Sequence, residues 1–558
     1  MRRLRAWLAS VRPRRGDLRR DLVAGVPGAI ASVPDGMASA VLVGVNPVFG
    51  LYASMVGPIG GGLAVSTQLM VVTTTTAAAL AAGSSLTGFS GTQRTEALFV
   101  LSVLAGVMMI AAGLLRLGRF TRFVSVSVLA GFLTGVAVNI ILGQLGDLLG
   151  SSQTGTPALV KAFNVVTHPA DMSLIAAAVG ASALVLMAVL SRTRIASVAP
   201  LIALVIPTLG SLGASGLVRV NDSGPIPSGI PTPYLPHLSL LSSLQLLAGA
   251  AAVSVIVLVQ GNGVAEAAPN PDGSPSHPNR DFIAQGIGNL ASGLFRGQPV
   301  GGSVGRTALN VAAGGRSRWA AIFSGVWMLL ILLLLSGLVG KIPIPTLAAV
   351  LIFAAARSVR VGRIGTVIRT GFGSRVAFVA TLTATLLLPV AAAVGVGVGL
   401  SLLLQLNQEA SRLTVVRLKL ASDGSLVESP APAALTSHDV TILDVYGSLL
   451  FAGARTLQTR LPDPTGCTRA VVVLRLRGRT RLGATGFIVL ADYAERLQAT
   501  GGHLFLSEVA PELAEQLLKT HRVDLKRTVT IVPASAAVLA ATVTAYRDAR
   551  TWLADRAA

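Results

Sequence analysis

Long apolar segments recur from Leu22 to about Leu406, and they constrain the fold of this 558-residue chain more than any other feature. A helix needs about 20 apolar residues to cross the hydrocarbon core of a bilayer. Of all residues, 52% are hydrophobic and only 12% are charged, whereas soluble domains have about 25% charged residues. The sequence therefore predicts a polytopic α-helical membrane protein, because membrane barrels consist of short alternating strands.

Fourteen apolar segments are predicted to span the membrane. They cover residues 22–44, 47–64, 69–83, 97–115, 124–147, 173–190, 197–217, 244–262, 284–296, 303–315, 319–338, 344–357, 376–388 and 390–407. Seven precede the polar loop 218–237 and seven follow it, and an odd number per half gives the halves opposite orientations. The pattern predicts a 7+7 inverted repeat, at about 22–217 and 244–407. A faint echo supports it, because TTTTAAALAAG from Thr73 can be laid over VGRTALNVAAG from Val304.

The formal net charge of +21 comes mainly from arginines at the ends of the apolar segments. Eight of the first twenty residues are Arg, whereas short loops such as 43–50 and 389–394 are almost uncharged. By the positive-inside rule, both termini are expected in the cytoplasm of a multi-pass protein of the inner or plasma membrane. Charge placed in this way argues against nucleic acid as a partner.

The sequence contains no arrangement typical of a catalytic or metal centre. All six histidines fall in loops or in the carboxyl-terminal tail, so none is available at membrane depth as a proton relay. The single cysteine, Cys467, rules out an intrachain disulfide. We therefore expect neither an enzyme nor a bound cofactor.

Two of the predicted segments, 69–83 and 303–315, are short, and polar or Gly-rich backbone precedes each of them. Such backbone is tolerated at membrane depth only where it is buried in protein or lines a wet cavity. Two half-helices that point their amino-terminal ends at one place would create partial positive charge there. This arrangement predicts a central site for an anion.

From Thr436 onward the pattern changes to that of a small α/β domain. The runs VTILDVYGSLLFAG and RAVVVLRLRG look like strands, and GFIVLADYAERLQATGG looks like a helix. We therefore divide the chain into a basic cytoplasmic amino terminus (1–21), a transmembrane domain (22–410), a linker (411–435) and a cytoplasmic α/β domain (436–558).

Four motifs carry a resemblance to a known family. They are DLVAGVPGAIASVPDGMASAVLVGVNPVFGLYAS from Asp21, LLRLGRFTRFVSVSVLAGFLTGVAVNIILGQL from Leu114, NRDFIAQGIGNLASGLF from Asn279 and GGSVGRTALNVAAGGRSR from Gly301. In this order and spacing they resemble the SulP anion transporters, the group of sulfate permeases, bicarbonate transporters, pendrin and prestin. The tail resembles the STAS domain that members of this family carry.

The resemblance implies how the transmembrane domain is organised and where substrate binds. Predicted helices 1–4 and 8–11 would form a core that holds the anion between half-helices 3 and 10 and moves against a gate of helices 5–7 and 12–14. Many members are homodimers. The substrate-binding residues that it implies are Thr73, Thr74, Ser303, Val304, Gly305 and Arg306.

Arg306 is the clearest basic residue in a membrane interior that otherwise has almost none. A buried charge needs a partner or an anionic substrate, so Arg306 is expected to bind the anion, and a purely structural pairing is the alternative. The family's Ser-x-Ser-Arg becomes Ser303-Val304-Gly305-Arg306, which loses one hydroxyl and keeps the backbone N–H donors.

Val72 and Thr73 take the places of Gly and Pro, which many members of the family have at the start of half-helix 3, give or take a residue. The hydroxyls of the run from Thr73 to Thr76, among them Thr73 and Thr74, are able to donate to an anion or to coordinate a cation. The alternative is that they bond back to the carbonyl groups of their own helix.

Asp35 is the one carboxylate predicted near the middle of the membrane. Pro34 before it removes a backbone donor and is expected to help break the helix, as happens where a helix lines a cavity. The family usually has Gln at this place and an acid in helix 8, where this chain has Gln260. We therefore assign Asp35 and Gln260 to ion coupling, by exchange of H⁺ or by holding Na⁺ at Asp35, and expect no other metal.

These observations together predict a secondary active transporter of small anions that is coupled to protons rather than to sodium. Sulfate, bicarbonate, chloride and dicarboxylates all remain open as substrates. The alternatives are a sodium-coupled symporter, an uncoupled anion exchanger or channel, and a protein that acts mainly through its STAS domain. The STAS-like tail is expected to regulate transport, with phosphorylation of Thr485 or nucleotide binding as alternatives.

Overall fold

The computed structural model describes residues 15–118, 125–155, 157–193, 195–196, 198–223, 229, 231–236, 244, 246–411, 413–420, 426–447, 449, 451–519 and 529–556. The chain divides into two compact units, the first ending at Ser401 and the second beginning at Leu402.

The first unit is built almost entirely from helices. In the first part of the chain these are α1 (Arg15–Val43), α2 (Val48–Ala64), α3 (Thr76–Ser85), α4 (Gly91–Leu114), α5 (Val126–Leu149), α6 (Ala158–Thr167), α7 (Leu174–Leu190) and α8 (Ala199–Gly210). They are followed by α9 (Leu247–Ala267), α10 (Pro278–Leu294), α11 (Val304–Ala312), α12 (Arg318–Val339), α13 (Ile344–Ser358), α14 (Val361–Thr370) and α15 (Phe372–Leu387). The last helix, α16 (Val390–Ser411), begins in the first unit and ends in the second.

Each predicted spanning segment overlaps one of these helices, but α6 and α14 were not predicted. Both have only 10 residues and mix charged with apolar side chains, as in VGRIGTVIRT of α14. Amphipathic helices of this length give no apolar window long enough to span a membrane.

Five helical stretches in the described part of the chain are long and apolar enough to cross a bilayer, judged by length and composition. They are Gly16–Val43, Gly91–Leu114, Val126–Leu149, Leu247–Ala267 and Ile344–Thr370. Shorter apolar helices such as Val48–Ala64 and Phe372–Leu387 accompany them.

Two short strands, β1 (Val72–Thr74) and β2 (Val300–Gly302), pair in antiparallel fashion in the interior of the first unit. Thr75 follows β1 and caps α3, and Ser303 follows β2 and caps α11. When Thr75 is aligned with Ser303, the order of strand, N-cap residue and helix is therefore the same in both halves of the first unit. The sequence echo, which placed Thr73 over Val304, was in the wrong register because repeated Thr and Ala residues match equally well at several offsets.

Glycines allow the helices around this ribbon to pack closely. A Cβ atom at Gly106 of α4 would lie 2.8 Å from the carbonyl oxygen of Gly286 of α10, and one at Gly286 would lie 2.7 Å from that of Gly106. Small residues commonly bring the backbones of membrane helices into contact in this way. The close packing of α4 and α10 fixes the position of β2, which begins six residues after α10 ends.

The second unit is an α/β domain with a six-stranded sheet in the order β4-β3-β5-β6-β7-β8. Its strands are β3 (Thr414–Leu420), β4 (Leu426–Pro430), β5 (Val440–Tyr446), β6 (Val471–Arg475), β7 (His503–Val509) and β8 (Val529–Pro533). Its helices are α17 (Phe451–Arg460), α18 (Ala484–Ala499), α19 (Pro511–Lys519) and α20 (Ala540–Ala554).

The segment 411–435, which was expected to be a linker, contains two strands of this sheet, β3 and β4. Strands β3 and β4 form an antiparallel hairpin, and β3 also pairs with β5, which is parallel to β6. The sequence TVVRLKL of β3 alternates apolar and basic residues, as a strand does when only one of its faces is buried. This alternation was overlooked because the stretch around it looked polar overall.

Candidate anion site at the start of two half-helices

The β1–β2 ribbon places the starts of α3 and α11 at the same level of the first unit, and its backbone is fully supported. The amide of Asn289 donates to the carbonyl oxygen of Val300 at 2.7 Å and accepts from its N–H at 2.9 Å. Gln285 Oε1 accepts from the Gly302 N–H at 2.8 Å. Buried non-helical backbone is stable here because side chains from α10 satisfy its polar groups.

The start of α11 presents its backbone to open space. Val304 is 36% exposed, and a Cβ atom added at Gly305 would meet nothing within 4 Å. Ser303 Oγ accepts from the Arg306 N–H at 3.4 Å and so caps one of the amides at the helix start. The other early amides of α11 and the positive end of its dipole are therefore available to an anion.

The side chain of Arg306 does not extend into this space, because it is held on α1. Its Nη2 donates to the Asp35 carboxylate and, at 2.5 Å, to the carbonyl oxygen of Ala31. The Arg306 side chain is only 8% exposed, whereas that of Asp35 is 37% exposed. The carboxylate is thus the part of the pair that incoming protons, cations or anions meet first.

The expected break at Pro34 is wrong, because α1 is continuous from Arg15 to Val43 with Pro27 and Pro34 inside it. Pro34 has no N–H, so the carbonyl of Ile30, four residues before it, lacks its usual donor within the helix. The next carbonyl, that of Ala31, accepts from the Arg306 guanidinium. Arg306 therefore contacts α1 at the turn that contains the proline.

Gln260 lies on α9 and faces the other half-helix. Its Oε1 accepts a hydrogen bond from Thr75 Oγ1 at 3.2 Å, and Thr75 also accepts from the Ala78 N–H at 3.4 Å. Gln260 also lines a small cavity of about 30 Å³, whose other walls come from α5, α9, α15 and α16 and are apolar apart from Thr381. The structure therefore brings Asp35 to the start of α11 and Gln260 to the start of α3.

Thr73 and Thr74 lie in β1, before the half-helix begins, and both are buried. Thr74 Oγ1 and Ser54 Oγ are 3.2 Å apart, and Thr73 Oγ1 has no hydrogen-bond partner among the described residues. The hydroxyls at the helix start itself belong to Thr75 and Thr76, which are partly exposed. The sequence did contain an indication of where the half-helix starts. Thr75 stands immediately before the helix-forming run that begins at Thr76, and threonine is a preferred N-cap residue.

Comparison with known proteins gives two family matches. Residues 18–381 match the sulfate permease family, and residues 431–537 match the STAS domain.

Several proteins with known names or structures are similar to this chain. A probable sulfate transporter of Mycobacterium tuberculosis is 30% identical over 377 residues, which are 66% of this chain and 67% of that protein. The bicarbonate transporter BicA of Synechocystis is 25% identical over 60% of both chains. The structure of the murine Slc26a9 anion transporter in its inward-facing state superposes with a TM-score of 0.81 at 18% identity, covering 97% of this chain and 93% of that one. At that identity the superposition establishes the fold alone.

Proposed function

This chain belongs to the sulfate permease family, and on that premise we propose that it is a secondary active transporter of small anions, with sulfate and bicarbonate as the first candidates. Family membership confirms the resemblance that the sequence motifs indicated. It makes the protein a multi-pass anion transporter with a STAS domain rather than an enzyme. The names of its relatives are the reason for putting sulfate and bicarbonate ahead of chloride and dicarboxylates.

The observation that carries the mechanism is the ion pair between Arg306 and Asp35 at the start of α11. While Asp35 is ionised, it neutralises the one guanidinium that stands at the predicted anion site. Protonation of Asp35 would leave the Arg306 charge buried and uncompensated, which is unfavourable until another anion takes its place. Proton binding and anion binding would therefore favour each other, and this mutual dependence is the requirement for symport.

The same pair favours protons over sodium. A sodium ion at Asp35 would have to displace the guanidinium that already donates to Oδ2, or else share the carboxylate with it. Two cations at one carboxylate repel each other, whereas a proton removes the negative charge and lets Arg306 turn to the substrate. Sodium-coupled symport and uncoupled exchange or channel activity remain the alternatives that transport measurements would distinguish.

The substrate-binding set that we propose combines backbone and side-chain donors. The amides of Val304 and Gly305, the Ser303 hydroxyl and the Arg306 guanidinium would come from α11. Thr75 and Thr76 would contribute from the start of α3, where Thr73 and Thr74 had been expected to act. Small anions are recognised well by such a combination of helix dipole, hydroxyls and one positive charge.

We further propose that transport occurs by movement of a core against a gate in a 7+7 inverted repeat. Packing within the first unit supports this division, because α10 packs on α4 and α2, and α12 packs on α1 and α2, whereas α13 and α15 both pack on α5. Both termini would be cytoplasmic by the positive-inside rule, and a homodimer is expected from the family. The STAS domain would regulate this movement.

Uptake of radiolabelled sulfate and bicarbonate into proteoliposomes, with and without an imposed pH gradient, tests the proposal. Arg306→Ala should abolish uptake, while Arg192→Ala, which removes an exposed arginine just after α7, should not change it. Retention of more than half of wild-type uptake by Arg306→Ala would exclude its role. Wild-type uptake that ignores the pH gradient but follows a sodium gradient would favour the sodium-coupled alternative.

A further inference from the structure

A cavity of about 670 Å³ lies where the starts of α1, α10 and α12 meet the loops that precede α10 and follow α2. Its walls carry the guanidinium groups of Arg20, Arg280, Arg316 and Arg318, together with the ring of His277. The lining contains two carboxylates, those of Asp17 and Asp272. Basic groups therefore outnumber acidic groups in this cavity.

Carboxylates near the cavity accept hydrogen bonds from backbone N–H groups and hydroxyls of the surrounding loops. Asp21 accepts from the backbone N–H groups of Arg316 at 2.7 Å and Ser317 at 3.2 Å. Asp281 accepts from the N–H of Ser66 at 2.6 Å and from the hydroxyl of Thr67 at 2.6 Å. These bonds fix the loops that form the walls.

Asp272, in the lining itself, is held in the same way. It accepts from the Ser274 N–H at 3.0 Å and from Gln68 Nε2 at 2.6 Å. Hydrogen bonds from Ser274 and Gln68 hold the pKa of Asp272 below its ordinary value, so it stays ionised. Even so, across the part of the chain that the structure describes, Arg20, Arg316 and Arg318 form no salt bridge.

Arg318 makes the excess of positive charge in the cavity more pronounced, because this residue is only 6% exposed. Its Nη1 donates to the carbonyl oxygen of Leu63 at 3.3 Å. Among the described residues, the carboxylates of Asp281 and Asp272 act on this guanidinium without forming a salt bridge with it, so a further anion in direct contact would stabilise it. The amino-terminal ends of α10, which starts at Pro278, and α12, which starts at Arg318, add positive potential to the same cavity.

We propose that this cavity is a second anion site, separate from the transport site, which binds a group carrying phosphate with at least two negative charges. Its volume is that of a pocket for an organic ligand and exceeds what a single small inorganic anion would fill. Arginine forks match phosphate oxygens two at a time. Arg20 and Asp35 are separated by roughly 22 Å along α1, at 1.5 Å per residue, so the two sites do not overlap.

The phosphate group has two sources, a free polyphosphate or the headgroup of an anionic lipid. Trp319 lines the cavity at the start of α12 and serves as the reporter for both. In the first experiment, inorganic pyrophosphate is titrated into the full-length protein in phosphatidylcholine nanodiscs while tryptophan fluorescence is recorded. In the second, nanodiscs of phosphatidylcholine are compared with nanodiscs that also contain phosphatidic acid, whose phosphate monoester can carry two negative charges.

The test variant is Arg20→Gln with Arg316→Gln, two exposed positions whose replacement leaves the packed interior unchanged. The matched control is Arg192→Gln with Arg369→Gln, which removes two exposed arginines elsewhere in the first unit. We expect the test variant to weaken binding of pyrophosphate, of the anionic lipid or of both at least about tenfold, and the control to bind as the wild type does. The Trp319→Phe variant should lose the signal.

Each outcome decides the proposal. A response to pyrophosphate in pure phosphatidylcholine identifies a free anion as the ligand, and a response only to phosphatidic acid identifies a headgroup. No response in either experiment, or an equal loss in the test and control variants, would overturn the proposal. Because the test variant leaves Arg306 and Asp35 intact, failure here is distinguishable from failure of the transport mechanism.

Discussion

Replacement of Asp35 by Asn tests whether its carboxylate competes with the transported anion for Arg306. The amide is close in size to the carboxylate and carries no charge, so the variant imitates permanent protonation. We expect it to bind sulfate more tightly than the wild type at alkaline pH and to lose the dependence of that affinity on pH. It should also lose accumulation driven by a pH gradient, since no proton can then be exchanged at this position.

The size of the effect follows from the burial of the two partners. Two unit charges 4 Å apart interact with about 4 kcal/mol at an effective dielectric constant of about 20, and pairs that are fully exposed are worth about 0.2–1 kcal/mol. The Arg306 side chain is 8% exposed and that of Asp35 is 37% exposed, so the pair lies between these limits. A coupling of about 1–3 kcal/mol corresponds to a change of about 5–150-fold in anion affinity.

The assay is equilibrium binding of radiolabelled sulfate to purified protein at acidic and at alkaline pH, followed by uptake into proteoliposomes. Asp147→Asn is the matched control, because Asp147 is a carboxylate of the same unit that pairs with Lys161 at 3.8 Å. The sulfate affinity of Asp147→Asn should depend on pH in the same way as that of the wild type. If Asp35→Asn also keeps the wild-type dependence on pH and still accumulates sulfate, Asp35 is a structural partner of Arg306 and the coupling proposal is wrong.

A double exchange, Asp35→Gln with Gln260→Glu, extends this test to the second half-helix. The new carboxylate would lie beside Thr75, the present hydrogen-bond partner of Gln260, and not on the Arg306 guanidinium. We therefore expect it to restore only part of the accumulation, with a different dependence on pH. Complete recovery would indicate that direct contact with Arg306 is not required.

Three further predictions concern other parts of the chain. Asn289→Leu should lower the melting temperature and abolish transport, because it leaves the buried N–H and C=O of Val300 unpaired at about 1–3 kcal/mol each. Burial, and secondarily Arg556, lower the pKa of His503 from 6.5. Hydrogen-exchange protection of β7 should therefore be full above pH 6.5 and should fall as the pH decreases through the lowered pKa. In His503→Gln the protection should not depend on pH over this range. Deletion of residues 412–558, which removes the whole sheet including β3, should change rate or expression and leave the order of anion preference unaltered.

Most of the helical architecture was predictable, because lipid permits only a few ways of satisfying a backbone. Long apolar runs located helices such as α4 and α5 to within several residues. Helices α6 and α14 and the β3–β4 hairpin were missed, since their burial depends on neighbours that a single segment of sequence does not specify. The internal echo was placed in the wrong register for the same reason, because one segment of sequence does not specify which residues it pairs with. The pairing of β1 with β2 gave the correct register.

Residues of the candidate site could be predicted where their type is rare at membrane depth. They could not be predicted where the same residue type occurs several times in a row. Arg306 and Asp35 stood out because ionisable residues seldom occur at membrane depth. In the threonine run from Thr73 to Thr76, by contrast, every residue offers the same hydroxyl, and the side that each one faces depends on where β1 ends and α3 begins. The hydrogen bond between Thr75 and Gln260 joins residues 185 positions apart, so no local pattern indicates it.

The two polar pairs at the site also bear on how the protein moves. Each pair joins the two halves of the sequence, because Arg306 follows β2 and reaches Asp35 on α1, while Thr75 follows β1 and reaches Gln260 on α9. The β1–β2 ladder joins the same halves a third time. A rocking motion of one half against the other would break all three connections at the proposed anion site. Movement of α1, α3, α9 and α11 together as one body, past α5 and α15, would keep the proposed site intact, and we therefore expect an elevator rather than a rocking mechanism.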